Sequence, residues 1–280
     1  MKNVMDGAIA LSINKTQKRD IAKFVDELAR GAGQILKAGF SKSKKVRYKG
    51  RIDPVTQFDV KAEKFITSRI AAKFPDHAVM AEEGSDTAAR SPWRWVIDPL
   101  DGTVNFAHGF PVYCVSIAVQ YEGGTVVAAI FDPERDELFS ATAGGGARLN
   151  GRKISVSEET KLGRSLLATG FSYSVATDRK NNLGLFARMV KTAQAVRRPG
   201  SAAIDLCWLA SGRIDGFWEL KLHPWDTAAA ILIVREAGGK VSRIDGSPYD
   251  IFAKDILASN SRIHAQMQRA LTGRTEKQVK

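Results

Sequence analysis

The sequence predicts a mixed α/β protein in which helices cover β-sheets, and three observations carry that prediction. Ile21, Phe24, Val25, Leu28, Ala32, Ile35 and Leu36 repeat with the helical period. From Ala78 to Ala143 the pattern changes to apolar runs of strand length separated by short turns. Beyond about residue 156, strand-like and helix-like segments alternate, as they do where helices pack on a sheet.

The first helix is expected to run through "RDIAKFVDELARGAGQILKAGF" and to end at Gly39. A second is expected to start near Asp59, because Val60, Phe65, Ile66, Ile70 and Phe74 keep the helical period until "FPDH" stops it. A carboxylate at such a start can cap free backbone N–H groups. Strands are expected at "AVMA", "WRWVID", "VYCVSIAVQY", "TVVAAIFD" and "ELFSAT". The last three are joined by the turns "EGG" and "DPERDE", too short for a crossover helix, so they should pair antiparallel. After "AGGGARLNGRKIS" the order reads strand "SLLATGF", helix "NNLGLFARMVK", strand "AVRR", helix "SAAIDLCWLASG", strand "IDGFWEL", helix "DTAAAILIVREAGG" and a strand beginning "KVSRI". There is no internal repeat and no linker rich in Pro or Ser. A single catalytic unit over 1–280 is therefore expected, with an N-terminal lobe of about 15–155 and a C-terminal lobe of about 156–272.

A length of 280 residues with 44% hydrophobic composition allows a large core. No window reaches the roughly 18 apolar residues of a membrane span. The first residues lack the apolar block of a signal peptide, so a cytoplasmic protein with no membrane partner is expected. Cys114 and Cys207 lie in apolar segments without a Cys or His at ligand spacing and are expected to be buried free thiols. The formal net charge of +12 asks for an acidic partner: a phosphorylated small molecule, a nucleic acid or a membrane surface. Much of it sits in "KSKKVRYKGR", Lys42 to Arg51, and in the tail "GRTEKQVK", runs that read first as solvated strand edge or loop.

Several acidic residues stand at the ends of predicted elements. Glu82 and Glu83 follow "AVMA", Asp98 and Asp101 follow "WVI", and Asp226 opens the helix after "LHPW". Strand ends bring side chains from distant segments together in a cleft. Carboxylates gathered there repel one another unless a cation neutralises them, and oxygen donors without Cys or clustered His point to Mg²⁺ or Mn²⁺ rather than zinc. Singly, Asp59 and Asp226 read as helix caps and Asp98 to Gly102 as a turn. The stretch "DPLDGT" goes further: Pro99 stiffens it, Asp98 and Asp101 can point to one side, and Gly102 and Thr103 open a short helix whose N–H groups can hold a phosphate. Cation ligands and an anion cradle in the same few residues suit hydrolysis of a phosphate monoester. No Ser-His or Cys-His nucleophile motif is visible.

From about Ile21 to Ser259 the chain resembles the inositol monophosphatase family of Mg²⁺-dependent, lithium-sensitive phosphatases. Two motifs carry the resemblance, "WVIDPLDGTVNF" and "HPWDTAAAILIVREAGGKV". It implies an α/β (α+β) layered αβαβα sandwich of the inositol monophosphatase and fructose-1,6-bisphosphatase type, often homodimeric. It also implies hydrolysis of myo-inositol monophosphate by a metal-activated water, with two or three Mg²⁺ ions and Mn²⁺ as the alternative. By position, Glu82 becomes a metal ligand that also holds the nucleophilic water. Asp98 bridges two metals, Leu100 offers its carbonyl, and Asp101 and Asp226 complete the second metal while lying against the substrate. Asp59 pairs with Thr103 to orient the attacking water, and Gly102 and Thr103 bind the phosphate through backbone N–H groups.

For the organic part of the substrate, the resemblance points to Gly200, Ser201, Ala202 and Glu219. A buried Glu219 could accept hydrogen bonds from two hydroxyls and reject analogues lacking them; the alternative is a strand-end Glu paired with a Lys or Arg. Val104 stands where many members have a second Thr, at a position that is not a ligand. "NFAHGFP" looks like the inositol branch, against histidinol phosphate, fructose 1,6-bisphosphate or 3′-phosphoadenosine 5′-phosphate as the substrate. His108 and His223 are expected in structural roles, since oxygens already complete the metal set. A rival of another class is an RNA or transcription-complex role through "KSKKVRYKGR", as some bacterial members have.

Overall fold

The computed structural model describes residues 13–50, 52–88 and 91–273. In chain order the elements are α1 (Lys15–Phe40), β1 (Val46–Tyr48), β2 (Pro54–Thr56), α2 (Gln57–Lys73), β3 (Ala78–Ala81), β4 (Trp93–Asp101), α3 (Thr103–His108), β5 (Cys114–Tyr121), β6 (Gly124–Asp132), β7 (Glu137–Thr142), β8 (Gly146–Leu149), β9 (Arg152–Lys153), β10 (Leu166–Thr169), α4 (Leu183–Val190), β11 (Ala195–Arg197), α5 (Ala202–Ala210), β12 (Gly216–Leu220), α6 (Pro224–Glu236), β13 (Lys240–Ser242), β14 (Asp255–Ser259) and α7 (His264–Thr272). Strands β3 to β9 form a seven-stranded sheet in sequence order, and a five-stranded sheet has the order β11-β10-β12-β14-β13.

Strand alternation builds five layers from these parts. In β5, Val115, Ile117 and Val119 face a core made with α1 and α2, through Val25, Leu28, Ile66 and Ile70. The opposite face, with Cys114 and Ala118, packs on Ala203, Cys207, Ala229 and Ile233 of α5 and α6. The same two helices also cover Ala168, Phe217 and Ala258 of the smaller sheet. The outer face of that sheet, Leu167, Trp218 and Leu257, is closed by Met189, Met267 and Leu271 of α4 and α7. A sheet covered on both faces needs strands that are apolar on both sides, which is why β4 to β6 read as nearly continuous apolar runs. The layered αβαβα architecture is thus the one the sequence leads one to expect.

Helix α6 lies between the sheets and is fixed at both ends. Asp226 at its start accepts from His223 N at 2.7 Å. Glu236 at its end accepts from Gly144 N and Gly146 N, each at 2.8 Å, in the turn between β7 and β8.

The differences from the sequence reading have physical causes. The basic run read as strand edge or loop contains β1, the first strand of the antiparallel hairpin β1–β2, of three residues per strand and too short to show a period. Arg51 and Arg274–Lys280, which complete the two basic segments, lie outside the described residues. Strands β8, β9 and β14 and helix α7 carry no clear period in the sequence. Asp59 is not the cap of α2: Thr56 holds that position, and Asp59 is the third helical residue of a capping box, accepting from Thr56 N at 2.9 Å. Asp226 plays the same part in α6, which begins at Pro224. Both cysteines are buried and free.

Close approach of α1 to the large sheet gives a test. A Cβ at Gly33 would stand 2.3 Å from Cδ1 of the buried Phe131 ring. Gly33→Ala should therefore lower stability by about 1–3 kcal/mol through overpacking, overriding the roughly 1 kcal/mol that Ala normally gains in a helix; the shift is read from the denaturant midpoint.

Candidate active site

Strand pairing brings the first two carboxylates together. β3 and β4 run parallel with Met80 opposite Val96 and Ala81 opposite Ile97, so the next residue on each strand is Glu82 and Asp98. Glu82 N donates to Ile97 O at 3.2 Å. On its other side β4 pairs antiparallel with β5, Asp98 opposite Ser116 and Asp101 opposite Cys114, so three steps along β4 match two along β5. In a regular strand, residues three apart point to opposite faces; this bulge returns Asp101 to the face of Asp98. Both then face the layer of α5 and α6.

Helix starts supply the other groups. Thr103, first residue of α3, has its hydroxyl 3.2 Å from Asp59 Oδ1 and 2.9 Å from Leu100 O. One hydroxyl proton can serve only one acceptor at a time, so the ionised state of Asp59 decides which way Thr103 turns. Gly102 has φ +95°, and a Cβ there would stand 2.8 Å from Val112 O, so the bend into α3 requires glycine. Its N–H leans on the Asp101 carboxylate.

Asp101 Oδ2 accepts from Ser201 Oγ and from Ala203 N, each at 2.7 Å. The first residues of α5 are thereby tied to the end of β4. Gly200, at φ +96°, precedes Ser201, and Ser201 Oγ caps α5 at Ile204 N. Asn105 donates to Pro199 O and Val112 O, each at 2.8 Å, bracing the same junction.

The electrostatics follow from burial of like charges. Burial raises Asp98 well above the usual carboxylate range, and Glu82, Asp101 and Asp226 add repulsion. Asp226 is raised well above it for the same reasons, with Asp101 as its main repelling neighbour. Burial pushes Glu82 up to about 7, and Lys49 offsets part of this. Asp101 rises to about 6 through burial, held down by Ser201 and Ala203 N. Asp59 also rises to about 6 through burial, against its bonds to Thr56. Glu82 is first among the charges that raise Asp98, a repulsion that a bound cation would relieve.

This donor set fits a hard divalent cation: the buried Asp98 with the half-buried Glu82, Asp101 and Asp226, the carbonyl of Leu100 nearby, and neither thiolate nor imidazole among them. Among the described residues no three Asp, Glu, His or Cys side chains already surround one point closely enough to hold an ion.

Opposite the carboxylates lies the wall around Glu219. β10 runs parallel to β12 with Thr169 opposite Trp218, which sets Gly170 beside Glu219. A Cβ on Gly170 would stand 2.3 Å from Glu219 Oε1, so the carboxylate occupies the space a side chain would take. Burial pushes Glu219 up to about 8, Asp101 adds to this and Arg198 opposes it. Asp205 Oδ1 is the one buried side-chain oxygen without a hydrogen-bond partner among the described residues. Burial and the nearby Glu219 raise Asp205 well above its ordinary range, and a neutral carboxyl explains how the lone oxygen is tolerated.

Asp59, Glu82, Asp98, Leu100, Asp101, Gly102 and Thr103 thus form one cluster with Asp226. Gly200, Ser201 and Ala202 adjoin it through Asp101, and Glu219 stands within electrostatic reach of Asp101. His108 is exposed, while the His223 ring stacks on Trp225 with centroids 4.9 Å apart. Sequence reasoning missed Ala203, Gly170 and Lys49. Lys49, on the hairpin, has Nζ 3.1 Å from Glu82 Oε1 and 2.6 Å from Glu83 Oε1. Burial lowers Lys49, but the two carboxylates outweigh it and hold it above its usual value.

A layered αβαβα fold with acidic strand ends beside a glycine-bounded helix start defines a phosphatase of the metal-dependent class. The family model described as the inositol monophosphatase family matches residues 17–278. The inositol-1-monophosphatase of Synechocystis is 45% identical over 247 residues, covering 88% of this chain and 86% of that protein. The Nus factor SuhB of Vibrio cholerae is 41% identical over 237 residues, covering 84% of this chain and 89% of its own length. A solved inositol monophosphatase from Anabaena superposes with a TM-score of 0.83 at 38% identity, covering 92% of this chain and 97% of that one. The chain belongs to the inositol monophosphatase family, and it is a phosphoric monoester hydrolase. Among the described residues no helix is long and apolar enough to cross a membrane.

The raised carboxyls predict how stability depends on pH. Each binds its proton more tightly in the folded than in the unfolded state, so metal-free stability should fall as pH rises from about 4 to about 8, through the values of Asp59, Asp101, Glu82 and Glu219. Mg²⁺ should raise the melting temperature more at the upper end of that window than at the lower, as read by a thermal scan at each pH.

Proposed function

We propose that the protein hydrolyses myo-inositol monophosphate to inositol and inorganic phosphate with Mg²⁺ as its ion, two or three per site, or Mn²⁺ in its place. The observation behind this reading is the meeting of Glu82, Asp98, Asp101 and Asp226 beside the Asp59–Thr103 pair. Bound cations lower the pKa of water and offset the charge that develops on phosphate. Glu82, Asp98, the Leu100 carbonyl, Asp101 and Asp226 would hold them.

The protein's own groups do the rest. An ionised Asp59 accepts the Thr103 proton, which turns a hydroxyl lone pair toward the attacking water. Thr103 with Asp59, and Glu82, orient that water and take up its proton as its oxygen bonds to phosphorus. The ester P–O bond breaks, phosphate leaves, and the inositol oxygen takes a proton. The backbone at Gly102 and Thr103 meets the phosphate oxygens, while Gly200, Ser201, Ala202 and Glu219 meet the polyol, with Asp101 and Asp226 along its edge. Glu219 accepts from two ring hydroxyls, and the absence of a side chain at Gly170 lets its carboxylate face them.

The N-terminal lobe of about 15–155 and the C-terminal lobe of about 156–272 act in this reading as one catalytic unit, since Asp226 comes from the second and the remaining ligands from the first. Lithium sensitivity, a homodimer and a cytoplasmic location accompany it on the strength of the family.

Phosphate release over inositol monophosphate, histidinol phosphate, fructose 1,6-bisphosphate and 3′-phosphoadenosine 5′-phosphate, with and without Mg²⁺ and Li⁺, tests the proposal; no Mg²⁺-dependent release from the inositol ester would overturn it. Asp98→Asn should lower kcat about 10³-fold or more while circular dichroism stays unchanged. Measured at about pH 9, above the value of about 8 to which burial lifts Glu219, Glu219→Gln should shift kcat/KM toward the non-inositol esters by about tenfold, one hydrogen bond to a charged group being worth about 1.5–3 kcal/mol.

A second reading, a part in a transcription complex, is supported by the relatives named Nus factor SuhB. The basic segment lends it less than its charge suggests. Lys44 lies over the rings of Phe40 and Phe106, and Lys49 is paired with Glu82 and Glu83, which leaves Lys42, Lys45 and Arg47 exposed. RNA binding that weakens with salt and survives Asp98→Asn would favour this role.

A further inference from the structure

Glu63 is a buried carboxylate that neither motif includes, with a relative exposure of 2%. It lies on α2 one turn after Asp59, so the two project from the same face. Asp59 reaches Thr103, and Glu63 reaches the turn that follows β3. Glu63 Oε2 accepts from Glu83 N at 2.8 Å, and Oε1 accepts from Ser85 N at 3.2 Å and Ser85 Oγ at 2.5 Å. Three donors, two of them backbone N–H groups, thus occupy both carboxyl oxygens of Glu63. The turn, where Gly84 adopts φ +96°, is also tied by Glu82 N to Ile97 O, Gly84 N to Ala81 O, Ala81 N to Asp86 Oδ1 and the Lys49 ammonium on Glu82 and Glu83, but among the described residues Glu63 is what accepts from the backbone N–H groups of Glu83 and Ser85. Removing the Glu63 bonds would loosen the backbone after Glu82, leaving its N–H on Ile97 O and the Lys49 ammonium as the contacts that still restrain its carboxylate.

We propose that Glu63 is a positioning residue for the cation site: it fixes the backbone of the turn after β3 and so sets the angle at which Glu82 faces Asp98. This rests on the metal reading of that cluster. Helix α2 then acts as a jig whose single face aligns two segments, the start of α3 through Asp59 and the end of β3 through Glu63. Groups that orient a ligand commonly change metal affinity by 10- to 100-fold when removed.

Calorimetric titration of the full chain with Mg²⁺, beside thermal unfolding without metal, separates positioning from simple support of the fold. Glu63→Gln should weaken Mg²⁺ binding about tenfold. Ser85→Ala, which removes one of the three bonds and leaves α2 intact, should weaken it about two- to fivefold. Thr67→Ala, which deletes the bond from Thr67 Oγ1 to Glu63 O at 2.9 Å without touching the Glu63 carboxylate, should leave Mg²⁺ affinity unchanged. Wild-type affinity in both Glu63→Gln and Ser85→Ala would overturn the positioning role, as would equal loss in Thr67→Ala. If Glu63→Gln does not fold, Ser85→Ala decides. Wild-type protein that binds no Mg²⁺ would sink the metal reading and this inference together; intact wild-type binding with unaffected variants would sink this inference alone.

Discussion

Like charges buried side by side are the constraint around which this protein is organised. Four carboxyls face one another where water is scarce, and nothing in the apolar layers would gather them unaided, since their repulsion and desolvation both oppose it. They stay together because each sits at or near the end of an element fixed elsewhere: Glu82 by parallel pairing, Asp98 and Asp101 by a bulged strand, Asp226 by a helix clamped between two sheets. The packed layers hold an arrangement that is unfavourable until a cation arrives. A site built this way stores the drive for cation binding in its own repulsion.

How much of this could be read from the sequence depended on the range over which each signal acts. "DPLDGT" was legible because Pro, Gly and two acids interrupt an apolar run, a conflict visible within six residues. That Asp98 and Asp101 share a face was legible only as a capacity; the bulge that realises it comes from pairing with β5. Glu63 was illegible because a Glu four residues after an Asp on a helix looks like any solvated face until the turn after β3 folds over it. Gly170 reads as an ordinary strand end, and its purpose appears only when β12 brings Glu219 alongside. Alternation of elements announced sheets covered by helices, and the αβαβα layering came with the family resemblance, whereas the hairpin and β8, β9 and β14 were too short to announce themselves. Local patterns specify elements, and distant partners specify why a residue is charged.

Net charge illustrates the same division. A value of +12 invites a nucleic acid, yet two of the lysines in the basic run are spent within the fold, one over aromatic rings and one on the acidic turn. For an enzyme whose substrate and product are both phosphate anions, a net positive charge favours their approach. The composition is thus accounted for by a small anion as well as by a large one.

The double anchoring of α6 has a consequence for how this protein can change over time. Its 13 residues span about 20 Å, with Asp226 at one end and Glu236 gripping the Gly144 and Gly146 amides at the other. Inserting or deleting one residue between them would turn Asp226 by about 100° and slide it about 1.5 Å relative to that grip. Side chains along the helix are free to vary within the space the layers leave, but the count is not. The distance from "WD" to "EAGG" is therefore a ruler, and a lineage that altered its length would lose the site before it lost the fold.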